Sequence, residues 1–205
     1  MYEVEVKVPA DLASVRSRLE ELEVASDGTV VQTDSYYDAP HRSFPDTDEA
    51  LRIRTERPTE GTNETRLTYK GPLVDDESKT RKELETTVAS RETVAGILTN
   101  LGFEAAATVR KERERFVIRL VDVLETPADA TPDTTTFDAT TSDREYTITL
   151  DTVDGVGEFL EVETDVEAET DLEPARDGAY AVLELIGLDP TNQIRTSYLE
   201  LSLES

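Results

Sequence analysis

Acidic and basic side chains recur at every second position along several stretches of this chain. Glu3, Glu5 and Lys7 alternate with Val4, Val6 and Val8, and Arg52 and Arg54 alternate with Leu51 and Ile53. Arg66 and Lys70 share a parity opposite Leu67 and Tyr69. Lys79, Arg81, Glu83 and Glu85 form a fourth row, Lys111, Arg113 and Arg115 a fifth, and Glu161 and Glu163 a sixth, with Asp151 on the stretch before it. Residues i and i+2 of a strand project from one face, so each row is a line of charge along one side of a strand. Arg and Lys in such lines suit phosphate oxygens, Arg by a bidentate fork and Lys as a point charge. Paired carboxylates suit Mg²⁺ or Mn²⁺, hard cations that take oxygen ligands. Together these groups would neutralise a polyphosphate and stabilise the charge that develops in phosphoryl transfer.

A half-buried sheet with charge on its wet side would explain any single row. Six rows of mixed sign weigh against that. The rows and Asp151 hold ten basic and seven acidic side chains, a net of +3, whereas the remainder carries 11 basic against 39 acidic, a net of −28. A plain acidic surface would not gather half its cations on strand faces. A closed barrel with a charged lumen and an apolar outside covered by helices accounts for both facts.

The elements that must hold these rows are legible in outline. MYEVEVKV has strand alternation; Pro9 ends it and suits the first turn of a helix carrying Leu12, Val15, Leu19 and Leu22. A turn at Asp27-Gly28 precedes the β-rich VVQTDSYYDAP, closed by Pro40. ALRIRTER, ETRLTYKG and SKTRKELETTV read as three more strands. Ser90 suits an N-cap for a helix with Val94, Ile97, Leu98 and Leu101 on its apolar face and Gly102 at its end. A long strand is expected over VRKERERFVIRLVDV, followed at about 124–143 by a Thr- and Asp-rich stretch expected as a mobile loop or hairpin tip. EYTITLDTV and GEFLEVETDV form a hairpin around Asp154-Gly155, and helices near Ala175–Ile186 and Ser197–Leu203 close the chain. The expected fold is α+β, a closed eight-stranded antiparallel barrel with helices packed outside, as one domain over 1–205.

The 205 residues fit one domain, and a 37% hydrophobic share allows a real core. The formal net charge of −25 disfavours DNA and anionic membranes as partners. Such acidity, with Arg far outnumbering Lys, suits a high-salt interior where screening is short-ranged and an anionic ligand must be held by direct contacts. The absence of cysteine excludes disulfides and thiolate metal sites. No targeting pattern opens the chain and no run of about eighteen apolar residues occurs, so the expectation is a soluble, cytoplasmic protein.

The opening EVEVK resembles the ExExK signature of the CYTH superfamily, the triphosphate tunnel metalloenzymes, which include class IV adenylate cyclases, thiamine triphosphatases and inorganic tripolyphosphatases. The similarity runs on through QTDSYYDAP, ALRIR, LTYKGP, RKELE, KERERF and EFLEVE, nearly the whole chain in the family's order. The resemblance implies a tunnel in which Lys7, Arg52, Arg54, Lys70, Arg81, Lys111 and Arg113 bind phosphates, with Lys7, Arg54, Lys70 and Arg113 closest to the chemistry. It also implies Glu3, Glu5, Glu161 and Glu163, with Asp151 as an addition, as ligands of Mg²⁺ or Mn²⁺. Arg66, Lys79 and Arg115 are left open between site and rim. The implied substrate is a small triphosphate, with no nucleic acid or membrane partner and a homodimer left open. Hydrolysis and cyclisation of ATP both remain open, as does a non-catalytic module that binds polyphosphate. Cyclases of this class often carry a His-Phe pair before ExExK, and its absence from this chain tilts the expectation towards hydrolysis. His41, the single histidine, reads as a turn residue, Tyr36 and Tyr37 as one core and one surface aromatic, and Gly155 and Gly157 as turn glycines.

Overall fold

The structure is a computed structural model and describes residues 1–74, 77–124 and 143–204. Eight strands close into one antiparallel barrel. They are β1 (Tyr2–Pro9), β2 (Ser26–Asp38), β3 (Ala50–Pro58), β4 (Glu64–Leu73), β5 (Arg81–Thr87), β6 (Glu104–Arg119), β7 (Glu145–Val153) and β8 (Gly157–Val166). Their order around the barrel is β1-β5-β4-β3-β2-β6-β7-β8. The described residues also form helices α1 (Leu12–Glu21), α2 (Arg91–Asn100), α3 (Leu120–Leu124), α4 (Leu172–Ile186) and α5 (Tyr198–Glu204). Among the described residues, no helix is long and apolar enough to cross a membrane.

On the side covered by helices, the strands are apolar on the outside. Val6 and Val8 of β1, Ile148 and Leu150 of β7, and Leu160 and Val162 of β8 point out under α1 and α4, where Leu12, Val15, Leu19, Ala179, Val182 and Leu183 complete one core. Full burial of one such aliphatic side chain is worth about 1.5–3 kcal/mol. The charged parity therefore has nowhere to go but into the lumen.

Local chemistry sets the boundaries, sometimes differently from expectation. Pro9 is the last residue of β1, and Asp11 caps α1 by accepting from the Ser14 amide at 2.8 Å. The expected turn at Asp27-Gly28 is an irregularity inside β2, where the register against β6 slips between Ser26 and Gly28. Gly28 takes φ +117° there, a conformation open to glycine and strained for other residues. Ser90 caps α2 as expected, accepting from Thr93 at 3.1 Å. The apolar face of α2 is narrower than expected: Leu98 is buried, while Ile97 and Leu101 are more than half exposed. The long strand stops at Arg119, opposite Glu145, the first residue of β7. Beyond that pair the ladder offers no partner, and the backbone turns into α3, which satisfies its own groups. β5 starts at Arg81, so Lys79 lies outside the ladder. The Thr- and Asp-rich stretch lies, but for its ends, outside the described residues.

Candidate active site

The lumen holds a cavity of about 210 Å³. Phe44, Pro45, Asp48 and Glu49 of the β2–β3 connection line it, as do Ser197, Tyr198, Leu199, Glu200 and Leu203 of the C-terminal segment. Ten of the twelve candidate residues line it: Glu3, Glu5, Arg52, Arg54, Lys70, Arg81, Lys111, Arg113, Glu161 and Glu163. The other two stand just behind its wall. Lys7 lies over the Tyr198 ring, with Nζ donating to the Thr196 carbonyl at 2.6 Å and 4.2 Å from the centre of that ring. Asp151 is completely buried behind Lys111 and Arg113.

β1 and β8 bring the acids together. Glu5 lies opposite Glu163, and Lys7 opposite Glu161. β6 and β7 place Arg113 opposite Asp151. Arg113 is the hub of this wall. Its Nε donates to Asp151 Oδ1 at 2.7 Å, Nη2 to Asp151 Oδ2 at 2.6 Å and also to Glu161, and Nη1 to Glu163 Oε1 at 2.8 Å. Lys111 Nζ donates to Asp151 Oδ2 at 2.8 Å. Lys70 Nζ meets Glu3 Oε1 at 2.5 Å and Glu83 Oε2 at 2.7 Å. Lys79, left open between site and rim, lines the cavity and donates to Glu5 Oε1 at 2.9 Å. Arg66 and Arg115 do not line it. Arg66 donates to Glu64 and Glu85, and Arg115 donates to Glu56, which also accepts from Gln32 at the far end of β3. Arg81 donates to the Asp48 and Gly71 carbonyls, bracing the β2–β3 connection at the cavity edge.

These contacts set the charge states. Burial would raise Glu3, but the Lys70 ammonium, together with Glu83 and Arg52, overcomes it and holds Glu3 down to about 2. Burial would raise Asp151 too, and Arg113 and Lys111 overcome it. Glu163 goes the other way: burial, with Glu3, Glu161 and Glu5 facing it, pushes it up to about 7 against the pull of Arg113. Burial and the neighbouring Lys79 bring Lys7 down to about 8.

The predicted metal-binding acids are thus engaged with cations, and among the described residues no three His, Asp or Glu side chains form a cluster able to hold a metal. By donor chemistry alone, this set suits a hard divalent ion. Glu3, Glu5, Glu161 and Glu163 offer only carboxylate oxygens from adjacent strands, and the repulsion felt at Glu163 is what a shared cation would relieve.

Sequence reasoning missed Asp34, Glu83 as a partner of Lys70, and Tyr198. Asp34 shares a parity with Gln32 and Tyr36 in QTDSYYD, and one acid between a neutral polar and an aromatic residue of that parity leaves a faint signal. Nothing in the sequence marks Tyr198, whose ring packs on Phe159 at 5.2 Å and under both Lys7 and Lys111. Tyr36 and Tyr37 are both buried, one towards the Tyr198 cluster and one under α2, instead of one core and one surface. His41 is an exposed turn residue, as expected.

The comparisons bear on the fold and the family. MJ0240 of Methanocaldococcus jannaschii, named as a candidate adenylate cyclase, is 31% identical over 202 residues, 98% of each chain. The solved PH1819 protein of Pyrococcus horikoshii OT3 is similar over 98% of each chain, with a TM-score of 0.79 and 34% identity. A solved candidate adenylate cyclase from Vibrio parahaemolyticus shares the fold, with a TM-score of 0.75 at 22% identity over 100% of this chain and 99% of its own. The model of the CYTH domain matches residues 1–198. A closed barrel with cations and carboxylates turned inward, matched over that length, makes this chain a member of the CYTH domain family.

Proposed function

We propose that this protein is a divalent-metal-dependent enzyme that processes a small triphosphate in the barrel cavity, by hydrolysis or by conversion of ATP to cyclic AMP and pyrophosphate. One observation carries the reading. Arg52 and Arg54 from β3 and Lys111 and Arg113 from β6, on either side of β2, converge with Lys70 and four glutamates on one enclosed space. Guanidinium and ammonium groups there would take the phosphoryl oxygens, and burial makes each such contact stronger than in water. Glu3, Glu5, Glu161 and Glu163 would hold Mg²⁺ or Mn²⁺, with Asp151 kept for Lys111 and Arg113. A bound ion of this kind supplies Lewis acidity at the phosphoryl oxygens.

The name of the Methanocaldococcus jannaschii relative supports the cyclase arm. Hydrolysis asks less of the site, because water is the nucleophile and no ribose has to be oriented, and it is the arm we favour. Incubation in molar KCl with Mg²⁺ or Mn²⁺ and with tripolyphosphate, ATP or thiamine triphosphate separates the readings. Free phosphate, abolished by EDTA, is the expected result. Cyclic AMP with no free phosphate would move the assignment to cyclisation. Tight phosphate binding indifferent to EDTA, with no turnover of any substrate, would make the protein a binding module.

A further inference from the structure

Asp34 belongs to none of the charged rows, yet it sits in the middle of the cationic wall. β2 places it directly opposite Arg54 of β3 and next to β6 on its other side. The residue is buried, at 3% exposure. Both oxygens are used: Oδ1 accepts from Arg54 Nε at 2.7 Å, and Oδ2 from Arg54 Nη2 at 2.7 Å and from Arg52 Nη1 at 3.3 Å. This is the bidentate fork that fixes a guanidinium plane. Asp151 stands in the same relation to Arg113 and Lys111 on β6.

A guanidinium has five N–H donors, and Asp34 uses one edge of Arg54. Among the described residues, Arg54 makes no other side-chain hydrogen bond, and Arg52 Nη2 faces Glu83 Oε1 at 3.9 Å, beyond hydrogen-bond reach. Both arginines line the cavity. Arg52 and Arg54 are two residues apart on one strand, roughly 7 Å along it, so their unused donors form a short ladder along the lumen.

We propose that Asp34 is a positioning residue: it locks the Arg52 and Arg54 guanidiniums so that their free edges hold a triphosphate in one register along the lumen. The assignment rests on the reading of the cavity as a triphosphate site. Without Asp34 both positive charges remain, so attraction for the ligand persists while its alignment is lost. Misalignment of a bound reactant by about 1 Å lowers turnover on the order of 100-fold.

The test compares Asp34→Asn with Asp34→Glu, which keeps the charge and the two acceptor oxygens. For Asp34→Asn, kcat is expected to fall on the order of 100-fold while KM moves within about threefold, a split that marks lost alignment instead of lost binding. Asp34→Glu is expected to recover part of kcat. In parallel, ³¹P NMR of tripolyphosphate on the metal-free protein is expected to resolve two terminal phosphates for the wild type and one averaged resonance for Asp34→Asn. Wild-type kcat and KM in Asp34→Asn, or two resolved terminal resonances in it, would overturn the assignment. If the Asn variant does not fold, Asp34→Glu carries the test alone, and a wild-type kcat with wild-type spectra there is the refuting result. If the wild type turns over no triphosphate, the proposed function fails, while the spectra still decide the role of Asp34.

Discussion

A buried ammonium or guanidinium costs several kcal/mol unless a counter-ion stands beside it, and removing one partner of such a pair costs about 3–5 kcal/mol. In this barrel the counter-ions are distributed residue by residue: Asp34 beside Arg52 and Arg54, Asp151 beside Lys111 and Arg113, Glu5 beside Lys79, Glu3 beside Lys70. Glu56 plays this part at the far end of β3, where it accepts from Arg115 at 2.7 Å and from Gln32. Burial would raise its carboxyl, but Arg115, with Arg54 and Gln32, overcomes burial and holds it below its ordinary value of 4.5. A carboxyl depressed in the folded state adds stability that is fully present above the unfolded value and is lost as the pH falls through the folded one. Thermal melts of the wild type and Glu56→Gln, taken from pH 7 downwards, check this. The wild type should hold an advantage at pH 7 that shrinks below about 4.5; a difference that stays constant over the range would show that Glu56 is not an ionised partner of Arg115.

At the scale of elements, the barrel reverses the usual sheet, with valines and leucines outward under helices and charges inward. α4 is the main cover, and Leu183, Val182 and Ala179 on its inner face are completely buried. Leu183→Ala should destabilise the fold by about 2–5 kcal/mol. It should leave KM for the triphosphate unchanged, because the helix touches the outside of the wall and not the cavity. A denaturant titration paired with kinetics reads both numbers, and a large KM change without lost stability would contradict the layering. Much of this arrangement was legible in the chain. Alternation in EVEVK, LRIR and EFLEVE fixes both faces of β1, β3 and β8, since a strand has only two sides. The end of β6 was not legible, because VIRLVDV continues to look like strand after the neighbouring β7 has run out. The apolar face of α2 was overread: Ile97 and Leu101 have helical spacing, but only Leu98, with Val94 and Ala95, packs on the barrel. Asp34 was missed because its role depends on which strands become neighbours, and Tyr198 because its role depends on where the C-terminal helix docks, and no single stretch of sequence carries either.

At the scale of the whole molecule, charge is segregated. The chain carries −25 overall, while cations are concentrated around one enclosed space. Long-range attraction of a triphosphate is therefore weak, and affinity has to arise from direct contacts after the ligand has entered the barrel. Crystals of the protein soaked with tripolyphosphate and Mn²⁺ test this most directly. The account expects phosphate density inside the barrel, between the Arg52–Arg54 pair and the Lys111–Arg113 pair. Density confined to the outer surface, with the cavity empty at saturating ligand, would contradict it.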